Sequence, residues 1–228
     1  MSTIADFQTK MDEALKDTAG ILTQSEKNIQ IGRAVKLYSR HRPREIASDI
    51  AGSGIYEYPL PSAWIDGFST LRSLEYPVGS QEPETVPLED ILIYRLPAGP
   101  KLRFLRISPA AGQTARLLHT VPHTVDATTS TIPVPDEDAV SLLAAASGCE
   151  ALASYYAQSQ DPTLTADVVD HKSKSADYAA RAKRLKKLYA EAVGIKEEDI
   201  TPAASGTRDW SSEYSWGENR MLHPKDRR

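Results

Sequence analysis

The 228-residue sequence predicts an α+β fold: an antiparallel bundle of about four helices, an inserted antiparallel β domain, and an extended C-terminal arm. Three observations lead there. Apolar residues recur every three or four positions near the N-terminus and again from 136 to 193, which is the period of one helix face. Between these stretches the period drops to two, and glycine and proline punctuate the chain every few residues. Past residue 195 the sequence turns polar, with isolated aromatic residues. The organisation is therefore residues 1–43 as an N-terminal helical hairpin of the bundle, 44–127 as the inserted β domain, 128–195 as the C-terminal helices, and 196–228 as the arm.

The first helix spans Thr3 to Thr18, with Ile4, Phe7, Met11, Ala14 or Leu15, and Thr18 on one face and Gly20 as its stop. Thr23-Gln24-Ser25-Glu26 fits a capping box and starts the second helix. Its inner face is Ile31, Ala34 or Val35, and Tyr38, and Pro43 closes it. The short connection makes the two helices antiparallel neighbours.

Ile46, Ser48 and Ile50, the Gly52-Ser53-Gly54 turn and Ile55 to Tyr58 are expected to form a β-hairpin. Leu60 to Ile65 reads as a short helical turn with Trp64 as an apolar plug. Further strands are expected over Phe68 to Tyr76, Ile91 to Arg95, Lys101 to Arg106 and Ala115 to Val121, joined by proline- and glycine-bearing turns. Thr128 to Pro133 forms a polar extended connection into the central helix, Asp136 to Gln160. Acidic residues crowd the first turn of that helix, where the helix dipole favours them. Its apolar residues run almost all the way round, so it is buried on most sides, and the small run Ala144 to Gly148 lets neighbouring backbones approach. A loop around Asp161-Pro162-Thr163 leads to the last helix, Val169 to Val193, with a packing seam of Tyr178, Ala182, Leu185, Tyr189 and Ala192 and a stop at Gly194.

Composition narrows the function classes. Hydrophobic content is 40% and charged content 25%, ordinary for a soluble globular chain long enough to bury a core. A net charge of -4 argues against a dedicated nucleic-acid binder, so any DNA contact has to come from a local patch. The single cysteine, Cys149, rules out an internal disulfide framework. The N-terminus does not read as a signal peptide, and no apolar run reaches the ~20 residues that span a bilayer. The expectation is a protein made in a cytoplasm, with no membrane partner.

No nucleophile elbow, P-loop or dinucleotide fingerprint occurs, so no catalytic residue and no cofactor is assigned. His119 and His123 are four apart, but they flank Pro122 at a strand end with no third ligand nearby, so a packed or hydrogen-bonded pair is the reading and no metal is assigned. Cys149 lies among alanine and leucine, a setting for an inert buried thiol. Asp136-Glu137-Asp138 is a helix start. Arg181, Lys183, Arg184 and Lys187, with Lys172, Lys174 and Lys186, make the last helix locally basic. A solvated face is the ordinary explanation, and a phosphate-facing or intersubunit surface is the functional one. Trp210, Tyr214 and Trp216 stand as aromatic anchors in a polar strip. That pattern suits docking into grooves on a partner, with packing on the chain's own domain as the alternative.

The order of these parts, two helices, then β segments carrying Ser73-Leu74-Glu75-Tyr76-Pro77-Val78-Gly79, Leu102-Arg103-Phe104, Pro109-Ala110-Ala111-Gly112 and His119 to His123, then Thr131-Ile132-Pro133, an alanine-rich helix and a last helix with Tyr178 and Ala182, resembles the head-to-tail adaptor (connector) proteins of tailed bacteriophages. The resemblance runs to about Gly194 and leaves the arm unmatched. It implies a non-enzymatic virion protein of the head-tail neck, a homo-oligomeric, dodecameric ring closed by heterologous contacts. The portal protein and the tail or a further connector protein are the implied partners, with genomic DNA passing through without sequence-specific binding. Under it, Trp210, Tyr214 and Trp216 dock on the portal or a neighbouring subunit, and Arg181, Lys183, Arg184 and Lys187 face the channel or a neighbour. A tail-completion or terminator ring, a monomeric cytoplasmic binding protein, and a hydrolase using His119 or His123 are the alternatives.

Overall fold

The computed structural model of the chain describes residues 2–158 and 171–195. It is an α+β structure of four helices and two antiparallel sheets. In chain order these are α1 (Ile4–Leu15), α2 (Gln24–His41), β1 (Arg44–Ala51), β2 (Glu57–Pro59), β3 (Leu71–Glu75), β4 (Thr85–Val86), β5 (Ile91–Leu96), β6 (Gly99–Phe104), β7 (Thr114–Val121), α3 (Glu137–Gln158) and α4 (His171–Val193).

The capping box opens α2 as its sequence predicts: Thr23 Oγ1 accepts from the Glu26 N–H at 3.3 Å, and the Glu26 carboxylate accepts from the Thr23 N–H at 2.8 Å. The first helix is shorter than expected. Lys16 takes the left-handed conformation (φ 54°) and returns its N–H to Asp12 O, ending the helix before Thr18 and Gly20.

The helix α3 is the axis of the bundle, packed by α1, α2 and α4. Phe7, Met11, Leu15, Ile31, Tyr38, Val140, Leu152 and Tyr189 fill the core around it. Ala144, Ala145, Ala146 and Gly148 are all buried, and a Cβ on Gly148 would come within 2.9 Å of Met11 Cε and 3.0 Å of Leu15 Cδ1. The small run therefore sets how closely α1 lies on α3. On α4 the buried seam is Ala182, Leu185, Tyr189, Ala190 and Val193. Ala192, expected in that seam, is exposed: the 3.6-residue turn of the helix carries the buried face from Tyr189 on to Val193, four residues later, whereas the expected alternation of three and four steps off it.

The β residues form a second core of Tyr58, Leu74, Leu102, Phe104, Ala115 and Leu117, with Tyr58 and Phe104 edge to face. Strand order is β1-β7-β3-β4 in one sheet and β2-β6-β5 in the other. The hairpin expected from Ile46 to Tyr58 does not form. Instead β1 pairs along its whole length with β7, from Arg44 opposite Val121 to Ala51 opposite Thr114, while β2 pairs with β6. The glycine turn between them is a crossing from one sheet to the other. It is fastened by Gly52 N–H to Gln113 O and Gly54 N–H to Pro109 O, both 2.8 Å. Trp64, expected as an apolar plug in a short helical turn, is half-buried in a non-helical turn, its ring 5.7 Å from that of His119.

Two loops of the β region meet at Tyr76. Its hydroxyl accepts from the Ala110 N–H at 3.0 Å and donates to Gln113, and Val78 N–H reaches Thr114 O at 3.0 Å. The Glu75 to Gly79 segment is thereby clasped to the Pro109 to Gly112 turn.

Candidate interaction site

The bundle and the sheet are locked together where α2 ends. Tyr38 Oη donates to Asp136 Oδ2 at 2.5 Å, and Arg42 Nη1 reaches both carboxylate oxygens of Asp136 at 3.0 and 2.9 Å. The other arm of that guanidinium donates to Val193 O at 2.8 Å. His41 Nδ1 and Tyr189 Oη are 2.7 Å apart. His123 donates its backbone N–H to Ser39 Oγ, and its ring nitrogens face Thr131 O at 2.9 Å and Arg42 O at 3.0 Å. The C-terminus of α2, the start of α3, the end of α4 and the exit of β7 therefore converge on one polar knot. Burial pushes the Tyr38 and Tyr189 hydroxyls well above the usual phenol range, with the Asp136 charge adding to it. Burial also pushes His41 and His123 down, against the two carbonyls that favour the charged His123 ring.

The two histidines singled out from spacing are thus separated in role. His123 is a tie in this knot. His119 is fully buried in the β core beneath Trp64, where neither of its ring nitrogens nor Trp64 Nε1 has a hydrogen-bond partner. Burial pushes the His119 pKa down, and the Leu117 backbone, which pulls the other way, is not placed for a full hydrogen bond. Among the described residues no three or more His, Cys, Asp and Glu side chains group as a metal site. Cys149 is fully buried, which pushes its thiol up to about 11.

The basic residues of α4 are largely engaged at home. Arg181 Nη1 donates to Leu15 O at 3.3 Å, Lys186 Nζ to Glu150 Oε1 at 2.6 Å, and Lys187 Nζ lies 3.9 Å from Glu191 Oε1. Lys183 and Arg184 are exposed and have no acidic partner among the described residues. Beside this helix a recess of about 350 Å³ is lined by Thr18, Tyr156, Lys174, Asp177, Tyr178 and Arg181, with the Tyr156 and Tyr178 rings stacked. Trp210, Tyr214 and Trp216 lie outside the described residues.

A second concentration of positive charge runs along α2 and just past its end. Residues 27–44 hold six lysines and arginines and not one aspartate or glutamate, a signal plain in the sequence once charge is counted by segment. Arg33, Lys36 and Arg40 are exposed on α2 at helical spacings of three and four, and Arg44, the first residue of β1, is exposed just beyond them. None of the four has an ion-pair partner among the described residues; Arg33 reaches only the Gln30 amide. The row ends at a recess of about 450 Å³ lined by Arg40, His41, Thr70, Arg72 and Thr120 among others.

Comparison with known proteins gives limited likeness. No family model matches the chain, and no curated protein matches it. Among solved structures it is similar to a chain in the neck of an empty gene transfer agent (GTA) particle computed with C6 symmetry, at 15% identity and a TM-score of 0.28, covering 75% of this chain and 87% of that one. A chain in the neck of a native GTA particle computed with C12 symmetry gives 16% identity, a TM-score of 0.28, and coverage of 77% and 86%. One in the virion of the native GTA particle gives 13%, 0.28, and coverage of 78% and 92%. Overlap at that TM-score does not separate a shared fold from shared pieces of one. No described helix is long and apolar enough to cross a membrane.

Proposed function

We propose that the chain is a structural virion protein of the head-tail neck. In this reading it forms a ring below the portal, joins capsid to tail and continues the DNA channel. The observation that carries the reading is the order of its parts in the sequence, with the adaptor-like segments placed where that order puts them. A helical hairpin, a β insertion and two further helices follow one another. The Glu75 to Gly79 element, which with the segment order carries the resemblance, is held through Tyr76 against the Pro109 to Gly112 turn. The rings of such adaptors close through unlike surfaces on neighbouring copies. Trp210, Tyr214 and Trp216 are proposed to dock on the portal or on a neighbouring subunit, and no catalytic step is assigned.

The test is the mass of the purified chain, alone and mixed with assembled portal. Saturable binding as a ring, weakened by deletion of residues 208–228, is the expected result. A chain that stays monomeric and ignores portal overturns the reading, and capture by tail-tube protein in place of portal moves it to a tail-terminator ring.

A further inference from the structure

The acid-free row on α2 has a counterpart in the same molecule. Residues 73–94 hold five acidic residues and no lysine or arginine. Glu75 and Asp90 are used locally, near Arg116 and Arg106. Glu82, Glu84 and Glu89 are exposed and have no ion-pair partner among the described residues, and the exposed Leu88 sits among them. The recess at the end of the row lies against Thr70 and Arg72, where β3 begins, whereas β4 of the acidic segment pairs with β3 at its other end, at Leu74 and Glu75. Among the described residues no ion pair joins the two segments within one copy.

We infer that these are the two halves of one interface between copies of this chain, the Lys36 and Arg40 face of one subunit receiving the Glu84 and Glu89 segment of the next. Unlike patches at separate places on one surface make a heterologous contact, which propagates head to tail and closes into a ring when the rotation allows. The recess beside Arg40 supplies the shape. About 450 Å³ in volume, it is lined by Arg40, by Arg72, which also holds Glu45 at 3.3 Å, and by the hydroxyl-bearing Thr70 and Thr120, room for a short acidic segment and not for one side chain alone. Duplex DNA is the competing ligand for a basic row; the acidic segment is the complementary partner that every copy of the chain itself supplies. This inference rests on the ring reading and names the surfaces that close it.

Charge reversal on the full chain tests it, with sedimentation at about 0.05 and about 0.5 M salt as the readout. The variants are K36E/R40E and E84K/E89K, all at exposed positions, and each alone is expected to weaken self-association at least tenfold, as is the higher salt. Mixing the two variants restores alternating assemblies, because each then presents the sign its neighbour needs; that rescue also shows that both variants fold. If the wild type assembles and K36E/R40E assembles equally well, or the mixture fails to recover, the inference is overturned while the ring stands. If K36E/R40E changes only the binding of a duplex DNA fragment, the row belongs to nucleic acid and the inference is again overturned. A wild type that never associates, alone or on portal, removes the ring reading itself.

Discussion

Gly52 has no room for a side chain. A Cβ there would stand 2.8 Å from Pro109 O and 2.9 Å from Gln113 O, and closer still to Ala110 O. These are backbone atoms of the turn that the crossing is fastened to, so they cannot rotate away as a side chain would. Gly52→Ala is expected to cost about 3 kcal/mol in a chemical denaturation curve, the upper end for overpacking a fixed site. His119 poses the opposite problem, a polar ring whose nitrogens have no partners in an apolar core. Replacing such a group by an apolar one of similar shape removes an uncompensated burial cost, so His119→Phe is expected to gain about 1 kcal/mol. The same substitution bears on pH. His41, His119 and His123 all have folded pKa values held below the ordinary histidine value, first by burial. The unfolded chain then binds more protons than the folded one, so their contribution is complete above about pH 6.5 and is lost as pH falls through the folded values. The thermal midpoint is expected to drop between pH 7 and 5.5, and to drop less in His119→Phe. An equal slope in both proteins would assign the acid sensitivity to the other two histidines.

At the scale of elements, the knot at the end of α2 is where helices and sheet depend on one another. Arg42 bridges the buried Asp136 at the start of α3 and the last carbonyl of α4, while its side chain stays about half exposed. Tyr38→Phe removes one hydrogen bond and leaves Asp136 paired, so about 1 kcal/mol is expected. Arg42→Ala strips the charge partner from Asp136 and is expected to cost about 2 kcal/mol, reduced from a fully buried pair because solvent reaches the guanidinium. Urea unfolding of the two variants checks the order, and an Arg42→Ala loss smaller than that of Tyr38→Phe would make the ion pair ornamental. The helices around this knot were legible in advance. The Thr23–Glu26 box closes within one turn, and Ile31 and Tyr38 mark one helix face by their spacing alone, so both signals are local even though the partners of that face are distant. The partner of β1 was not legible. Gly52-Ser53-Gly54 announces a turn, but nothing within ten residues says whether the chain returns along the same strand or crosses to another sheet. That choice is made by packing with β7, some seventy residues away. Ala192 differs for another reason, since an alternation of three and four drifts off the face of a 3.6-residue helix, which continues to Val193. The knot itself joins residues from 38 to 193 and left only single polar side chains as its trace in the sequence.

At the scale of the molecule, both apolar cores are built from residues up to Ile195, which packs at the edge of the bundle core, and residues 196–228 lie outside the described residues. Two roles for that C-terminal segment lead to opposite stability changes. A docking arm takes its free energy from a partner, so removing it leaves the folding equilibrium of the rest untouched and acts only on partner binding. A segment that packs on its own domain withdraws buried aromatic surface from the fold when deleted, and Trp210 and Trp216 are the largest side chains it can offer. Ending the chain at Ile195 is therefore expected to leave the thermal midpoint of the isolated protein within about 1 °C while abolishing its retention on assembled portal; a loss of 1 kcal/mol would move the midpoint of a domain this size by about 2–4 °C. A drop of that size without a partner present would place the tryptophans on the chain's own surface and leave the portal contact to the folded unit.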